Sequence, residues 1–444
     1  MLSIENATAI AHKLVERAVA AGASAADVLY AGERSSSVEV RMGGLEQVNR
    51  SEGEHIGLRF FNGSRFATVA SSNFTDEALD LLVERAAAMA AEAPEDPYAG
   101  LAPPELLERG KLPDIDAFDP AEPDPAALQA RAVAAESAAL AVPGVANSNG
   151  GSAGASASTM ALATSTGFAR GYSVSGHSCS ASVIAGEGET MQRDHAWHSA
   201  RHLEDLEDAA MIGRRAGERT VARLNPGRIK AGPLPVLFDP RLSHTLLGHF
   251  IGAISGAVVA RKSSFLKDRL GERVFAPGIT ITDDPLRPRG LRSRAFDGEG
   301  LPVTRRDLVA DGILTTWLAD CAAARQLGIA PTGHAVRSGG VGPGNLYLAP
   351  GQRSRADLLA AYPLAILVTE LIGQGVNSVT GDYSRGAAGF IVRGGEIAEP
   401  IAEITIASNL IDMFATLEPG SDLEFRNGVD APTILVPQMT VAAA

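Results

Sequence analysis

Between Gly144 and Gly188 the chain reads GVANSNGGSAGASASTMALATSTGFARGYSVSGHSCSASVIAGEG, a stretch dominated by Ser, Ala, Gly and Thr. It reads as two or three long antiparallel strands with small side chains. A helix over about 124–141 precedes it, and another over about 205–224 follows, stopped by Asn225-Pro226-Gly227. Further upstream, Ser37-Val38-Glu39-Val40-Arg41 and Gly57-Leu58-Arg59-Phe60-Phe61 alternate as strands do, and Asn62-Gly63 is a hairpin signal. Thr75 then caps an alanine-rich helix that runs through about Ala91. Runs of strands beside runs of helices predict an α+β fold.

With 444 residues, the chain exceeds the roughly 250–300 at which one core stops growing. We expect an N-terminal α+β domain over 1–225 and a predominantly β domain with a few helices over 226–444. Within the first, residues 92–124 form a linker dense in Pro, Asp and Glu. Short strand-like runs such as VFAPGITITDD, LAILVTELIG and AEITIASNL, separated by Gly and Pro, mark the second. The net charge of −13 argues against nucleic-acid or anionic-membrane binding. Two cysteines, Cys179 and Cys321, exclude a disulfide framework and fit a reducing compartment. The N-terminus reads as an amphipathic helix carrying Ile4, Ile10, Leu14 and Val19, and not as a signal peptide. Leu242 to Ala260 has no formally charged side chain, but its His, Ser and Thr content suits a buried helix better than a membrane span. A cytoplasmic protein is expected.

The candidate chemistry lies in that helix, at His244-Thr-Leu-Leu-Gly-His249. In the zinc-peptidase helix H-E-x-x-H the histidines share a face, and the glutamate activates the metal-bound water. Here the histidines are five residues apart, which puts them roughly 140° apart on a regular helix at about 100° per residue. Both reach one metal only through a local widening such as a π-bulge, and a third ligand is needed as well. Thr245 stands where a base would be, and a hydroxyl cannot replace a carboxylate in that role near neutral pH. Gly248, Gly252 and Gly256 leave a groove along the helix for close approach of another backbone.

Other patterns carry less. Gly150-Gly151-Ser152-Ala153-Gly154 matches G-x-S-x-G but lacks the strand-to-helix context of a nucleophile elbow, and there is no standard P-loop. If their segment is helical, His198 and His202 share a face near His195. The loop from Gly333 to Asn345, glycine-rich and poor in apolar anchors, is either mobile or lines a binding cleft. Arginines at 287, 289, 292, 294, 305 and 306 alternate with Asp283, Asp284, Asp297 and Glu299, as in a salt-bridged β region.

Separated segments across nearly the whole chain carry one resemblance. They include SVEVRMGGLEQVNRSEGEHIGLRFFNGSRFATVASSNF, MQRDHAWHSARHLEDLED, VLFDPRLSHTLLGHFIGAISGAVVARKSSFL and ITDDPLRPRGLRSRAFDGEG. GHAVRSGGVGPGNLYLAPG and GDYSRGAAGFIVRGGEIAEPIAEITIASNL complete it. Together they resemble the TldD/PmbA family, and within it the PmbA branch, also called TldE. The resemblance implies a heterodimeric cytoplasmic metalloprotease that cuts unfolded or short peptides. It implies a metal held in the TldD branch by H-E-x-x-x-H and a later cysteine. His244 and His249 fall on the histidines of that motif, and Thr245 falls on its glutamate. The run Thr369 to Gly375, placed near the thiolate position, has no cysteine.

The expectation is therefore a non-catalytic subunit paired with a TldD-like catalytic subunit, with no cofactor in this chain and zinc in the partner. No catalytic residue is assigned. His244 and His249 are a remnant metal pair, and Arg337, Ser338 and Asn345 are candidates for lining the peptide channel. The alternatives are a metallopeptidase with a variant metal site and a peptide-binding homo-oligomer, such as a homodimer, without chemistry.

Overall fold

The computed structural model describes residues 1–337 and 339–443. The fold is α+β. The first part of the chain contributes α1 (Ile4–Ala20), β1 (Ala25–Arg41), β2 (Gly44–Asn62), β3 (Arg65–Ser71), α2 (Asp76–Glu92), α3 (Pro125–Leu140), β4 (Val145–Thr164), β5 (Ala169–Ala185), β6 (Gln192–Ala200) and α4 (Ala209–Val221). Its six strands form one antiparallel sheet in the order β3-β2-β1-β4-β5-β6. The Ser/Ala/Gly stretch supplies two of the long central strands. Each long helix starts on a side-chain cap that satisfies a free backbone N–H: Ser3, Thr75, Asp124 and Asp208 all accept from the helix's first turn.

The small side chains let helices sit almost on the sheet and on one another. A Cβ at Gly151 of β4 would stand 2.5 Å from the Ala132 carbonyl of α3. Between α3 and α4 the approach is closer still, because a Cβ at Gly213 would meet the Ala135 carbonyl at 1.9 Å and one at Gly217 would meet Val142. This is the close packing expected of spaced glycines, but it occurs at 213/217 and not in the helix where we looked for it. Gly248 and Gly252 face open space, and only Gly256 is crowded, by the Leu318 carbonyl. In α1 the core face is Ala7, Ala11, Leu14, Val15 and Ala18, while Ile4 and Val19 are exposed. Small residues again make the contact, so bulk misidentified the buried face.

The second part contains β7 (Gly232–Phe238), α5 (Pro240–Ala253), α6 (Gly256–Ala260), β8 (Ile281–Asp284), β9 (Arg306–Ala310), β10 (Ile313–Leu314), α7 (Cys321–Leu327), β11 (Asn345–Leu348), α8 (Arg355–Leu359), β12 (Leu364–Ile372), β13 (Asp382–Arg393), β14 (Glu396–Asn409), α9 (Leu410–Thr416), β15 (Glu418–Pro419), β16 (Val429–Asp430) and β17 (Ile434–Ala443). One sheet runs β10-β9-β8-β11-β16 and the other β14-β13-β12-β7-β17-β15. Because β14 also pairs with β17, five strands of the second sheet close into a ring. A single large core joins the two sheets to α5 and α9 through Phe238, Leu246, Phe250, Phe275 and Phe414.

The two parts meet on the sheet face opposite the N-terminal helices. There Leu162, Phe168 and Tyr172 pack on Ala295, Phe296 and Leu301, with Phe296 edge-on to both Phe168 and Tyr172. Beside this apolar contact lies a buried charge knot. Asp27 of β1, 1% exposed, accepts from Arg59 at 2.5 Å and, through its other oxygen, from Arg337 at 2.5 Å.

The described residues on either side of Ser338 in the Gly333–Asn345 loop are thus anchored. His334 is 2% exposed and pairs with Asp283 at 3.1 Å, while the Gly342 carbonyl accepts from Arg294. The arginine-rich stretch is also wired differently from its sequence neighbours. Arg289 reaches Asp116, Glu204 and Asp205 of the first part, and Arg287 lies over the Phe425 ring at 3.3 Å.

Removing Asp27 strands two buried guanidinium groups, so Asp27→Ala is expected to cost about 3–5 kcal/mol in urea unfolding. A loss below about 1 kcal/mol, the scale of an exposed pair, contradicts the assignment. Gly213→Ala is expected to cost about 1–3 kcal/mol by overpacking, whereas Gly248→Ala is expected to be neutral or to stabilise the helix by up to about 1 kcal/mol. Thermal melts of the two variants check the contrast.

Candidate functional site

A cleft of about 1420 Å³ opens between β6 and α4 on one side and α5, β12 and residues 422–431 on the other. Its walls are tied together by ion pairs that cross between the two parts of the chain. Glu207 accepts from both guanidinium nitrogens of Arg426 at 2.8 Å each, and from Arg215 as well. Asp194, nearly buried, takes Arg241 at 3.0 Å and Arg223 at 3.5 Å, and Arg223 also pairs with Glu370. The bidentate geometry of Glu207 with Arg426 makes that pair directional as well as strong. The arginines hold the Glu207 carboxyl down at about 2, Arg426 contributing most.

The candidate zinc helix forms one wall. Asp239 caps it, Pro240 opens it, and α5 runs as continuous α-helix from Pro240 to Ala253 without a π-turn. The widening that would bring both histidines to one metal is therefore absent, and they diverge. His244 lines the cleft with Thr245 and Gly248. His249 points elsewhere, edge-on to the Tyr383 ring at 6.0 Å. Burial holds both imidazoles below the usual histidine value, opposed by Asp430 and aided by Arg292 at His244, and aided by Arg385 at His249.

Nδ1 of His244 and Nε2 of His249 are buried without hydrogen-bond partners. Even so, among the described residues no three His, Cys, Asp or Glu side chains come together in a way that could hold a metal ion. Thr245 turns its hydroxyl back to the Leu242 carbonyl at 2.7 Å. The donor set does not fit a zinc centre, because the histidines lack a common focus, a third ligand and a base.

The remaining sequence candidates scatter. Arg337 is committed to Asp27, away from the cleft. Asn345 is buried, accepts from the Arg292 backbone at 2.9 Å and donates to Ser293 and the Asp284 carbonyl. Ser338 lies outside the described residues. The 195/198/202 cluster is not helical. His195 and His198 sit in or beside strand β6, His198 accepts from the Glu207 backbone, and His202 lies next to the Asp116 carbonyl. Sequence reading missed the cleft's charged walls, because Glu207, Asp194, Arg241 and Arg426 lie far apart in the chain and carry no local motif.

Comparison with known proteins places this architecture. Family models of the PmbA/TldA metallopeptidase match along the chain: domain 1 at 26–90, the central domain at 118–224 and the C-terminal domain at 231–443. The metalloprotease PmbA of Escherichia coli O157:H7 is 38% identical over 97% of this chain and 96% of its own length. The chain belongs to the PmbA (TldE) family of metalloproteases. A PmbA homologue of Haemophilus influenzae is 35% identical over 96% of this chain and 94% of its own.

Among solved structures, one from Bacteroides thetaiotaomicron, described as a proposed modulator of DNA gyrase, superposes with a TM-score of 0.92 at 26% identity, covering all of both chains. TldE of Thermococcus kodakarensis gives 0.86 at 21% identity over 98% of this chain and 100% of its own, a likeness of fold.

The low Glu207 value carries a pH signature. A carboxylate depressed in the folded state stabilises above its unfolded value of 4.5, and that contribution is lost as pH falls toward about 2. Acid titration of folding is therefore expected to show stability falling between about pH 5 and 2, with Glu207→Gln flattening this interval. An unchanged acid limb in the variant contradicts the cleft ion-pair geometry.

Proposed function

We propose that this chain is the non-catalytic subunit of a TldD-type metalloprotease that acts on unfolded or short peptides. The observation that carries the reading is Thr245, a hydroxyl turned onto its own helix where a metallopeptidase needs a carboxylate base. The divergence of His244 and His249 along a regular helix supports it, since neither side chain has the other as a co-ligand. On this reading, zinc and the general base reside in a TldD-like partner, and this chain stabilises the pair and shapes the wall past which peptide moves. Its own cleft, about 1420 Å³ in volume, offers room for a short stretch of peptide. A cytoplasmic setting suits two buried, unpaired cysteines, and among the described residues no helix is long and apolar enough to cross a membrane.

The test is a peptide-cleavage assay of the purified chain alone, of a TldD-type subunit alone and of the two mixed, each with and without a chelator. Cleavage is expected only where the TldD-type subunit is present, to rise in the mixture and to vanish on chelation. Chelator-sensitive cleavage by this chain alone sinks the proposal.

A further inference from the structure

The cleft's charges do not cancel. Eight arginines and seven carboxylates line it, in a chain whose overall charge is −13. The carboxylates are all engaged. Glu207, Asp194, Asp239, Glu370, Asp422 and Glu424 each pair with at least one arginine. The seventh, Asp430, accepts three consecutive backbone N–H groups from Arg426, Asn427 and Gly428.

Among the arginines, Arg219 and Arg292 have no carboxylate within 4.0 Å among the described residues, and neither does the more exposed Arg193. Arg219 is half-buried on α4, and its hydrogen bond goes to the His195 carbonyl at a long 3.4 Å. Burial lowers its pKa, with Arg241 and Arg215 pushing the same way, while Asp239 and Asp194, each already paired with other arginines, push it back up only in part. Across the cleft Arg292 stands near His244, whose Nδ1 is buried without a partner.

A half-buried guanidinium beside two others, with the nearby carboxylates already taken, lacks one anion. We propose that the cleft binds a carboxylate of a peptide through Arg219, with Arg292 adding positive potential from the facing wall. The planar fork of Arg219 matches a carboxylate's two oxygens, and its partial burial strengthens the pair relative to one in open solvent. The inference rests on the peptide-processing reading and deepens it, giving this subunit a recognition role of its own. The carboxylate comes either from the chain end or from an acidic side chain.

Three fluorescein-labelled, unstructured ten-residue peptides test the inference by fluorescence anisotropy with the full chain: one free of acidic residues with a free C-terminus, its C-terminal amide, and the amide with two internal glutamates. At least one carboxylate-bearing peptide is expected to bind roughly tenfold tighter than the neutral amide, and which one does identifies the source. Arg219→Gln is expected to erase that preference while leaving amide binding unchanged, which also controls for folding. Arg214→Gln, on the exposed side of the same helix, is expected to keep it. Equal binding of all three peptides, no binding of any, or a preference that survives Arg219→Gln overturns the inference. None of these outcomes decides which subunit cleaves, and the non-catalytic reading is tested separately in the cleavage assay of the two-chain mixture.

Discussion

Asp27 is where the two parts of this protein depend on each other. A carboxylate removed from water is tolerable only when its oxygens are fully matched, and here one goes to Arg59 of the same sheet and the other to Arg337 of the second part. Neither half satisfies Asp27 by itself. Arg337 is thereby fixed in place, close in the chain to His334, which pairs with Asp283 of β8. The apolar contact of Phe296 with Phe168 and Tyr172 supplies the adjoining burial. Together they set the distance between the N-terminal sheet and the second part, and hence the width of the cleft.

The cleft repeats the same physics with more water. Glu207, Asp194 and Glu370 bind arginines from the opposite wall, so its two sides are held at a fixed spacing by directional pairs and not by an apolar floor. Such a seam keeps the cleft open and polar, which suits an extended backbone with its unpaired donors and acceptors better than a compact apolar ligand. The α5 helix is one wall of this space. Its sequence keeps two histidines, but a regular helix sends one to the cleft and the other against Tyr383.

Much of the fold was legible because it is written locally. The Thr75 cap, the helix over about 124–141, the Asn62-Gly63 hairpin and the long small-residue strands all appear where the sequence placed them. The failures share one cause. Size was read as burial in α1, although Ala7, Ala11 and Ala18 make the contact. Glycine spacing was noticed at 248/252, where nothing approaches, and not at 213/217, where α3 does. The histidines of 195–202, left without an assigned element by the sequence, lie in and just beyond a strand paired with β5, a contact no local pattern announces. For the site, the divergence of the histidines followed from their five-residue spacing once the helix proved regular. The charged cleft was invisible, since its pairs join residues about 150 to 220 positions apart in places.

The central claim is that chemistry belongs to the partner and recognition to this chain. It is tested most directly in the assembled two-chain enzyme by moving the inactivating change from one subunit to the other. Replacing the glutamate of the partner's H-E-x-x-x-H motif should abolish peptide cleavage, whereas His244→Ala combined with His249→Ala in this chain should leave the turnover rate and the metal content of the complex unchanged. Loss of turnover and of bound metal from the second complex, with the first still active, would contradict the account.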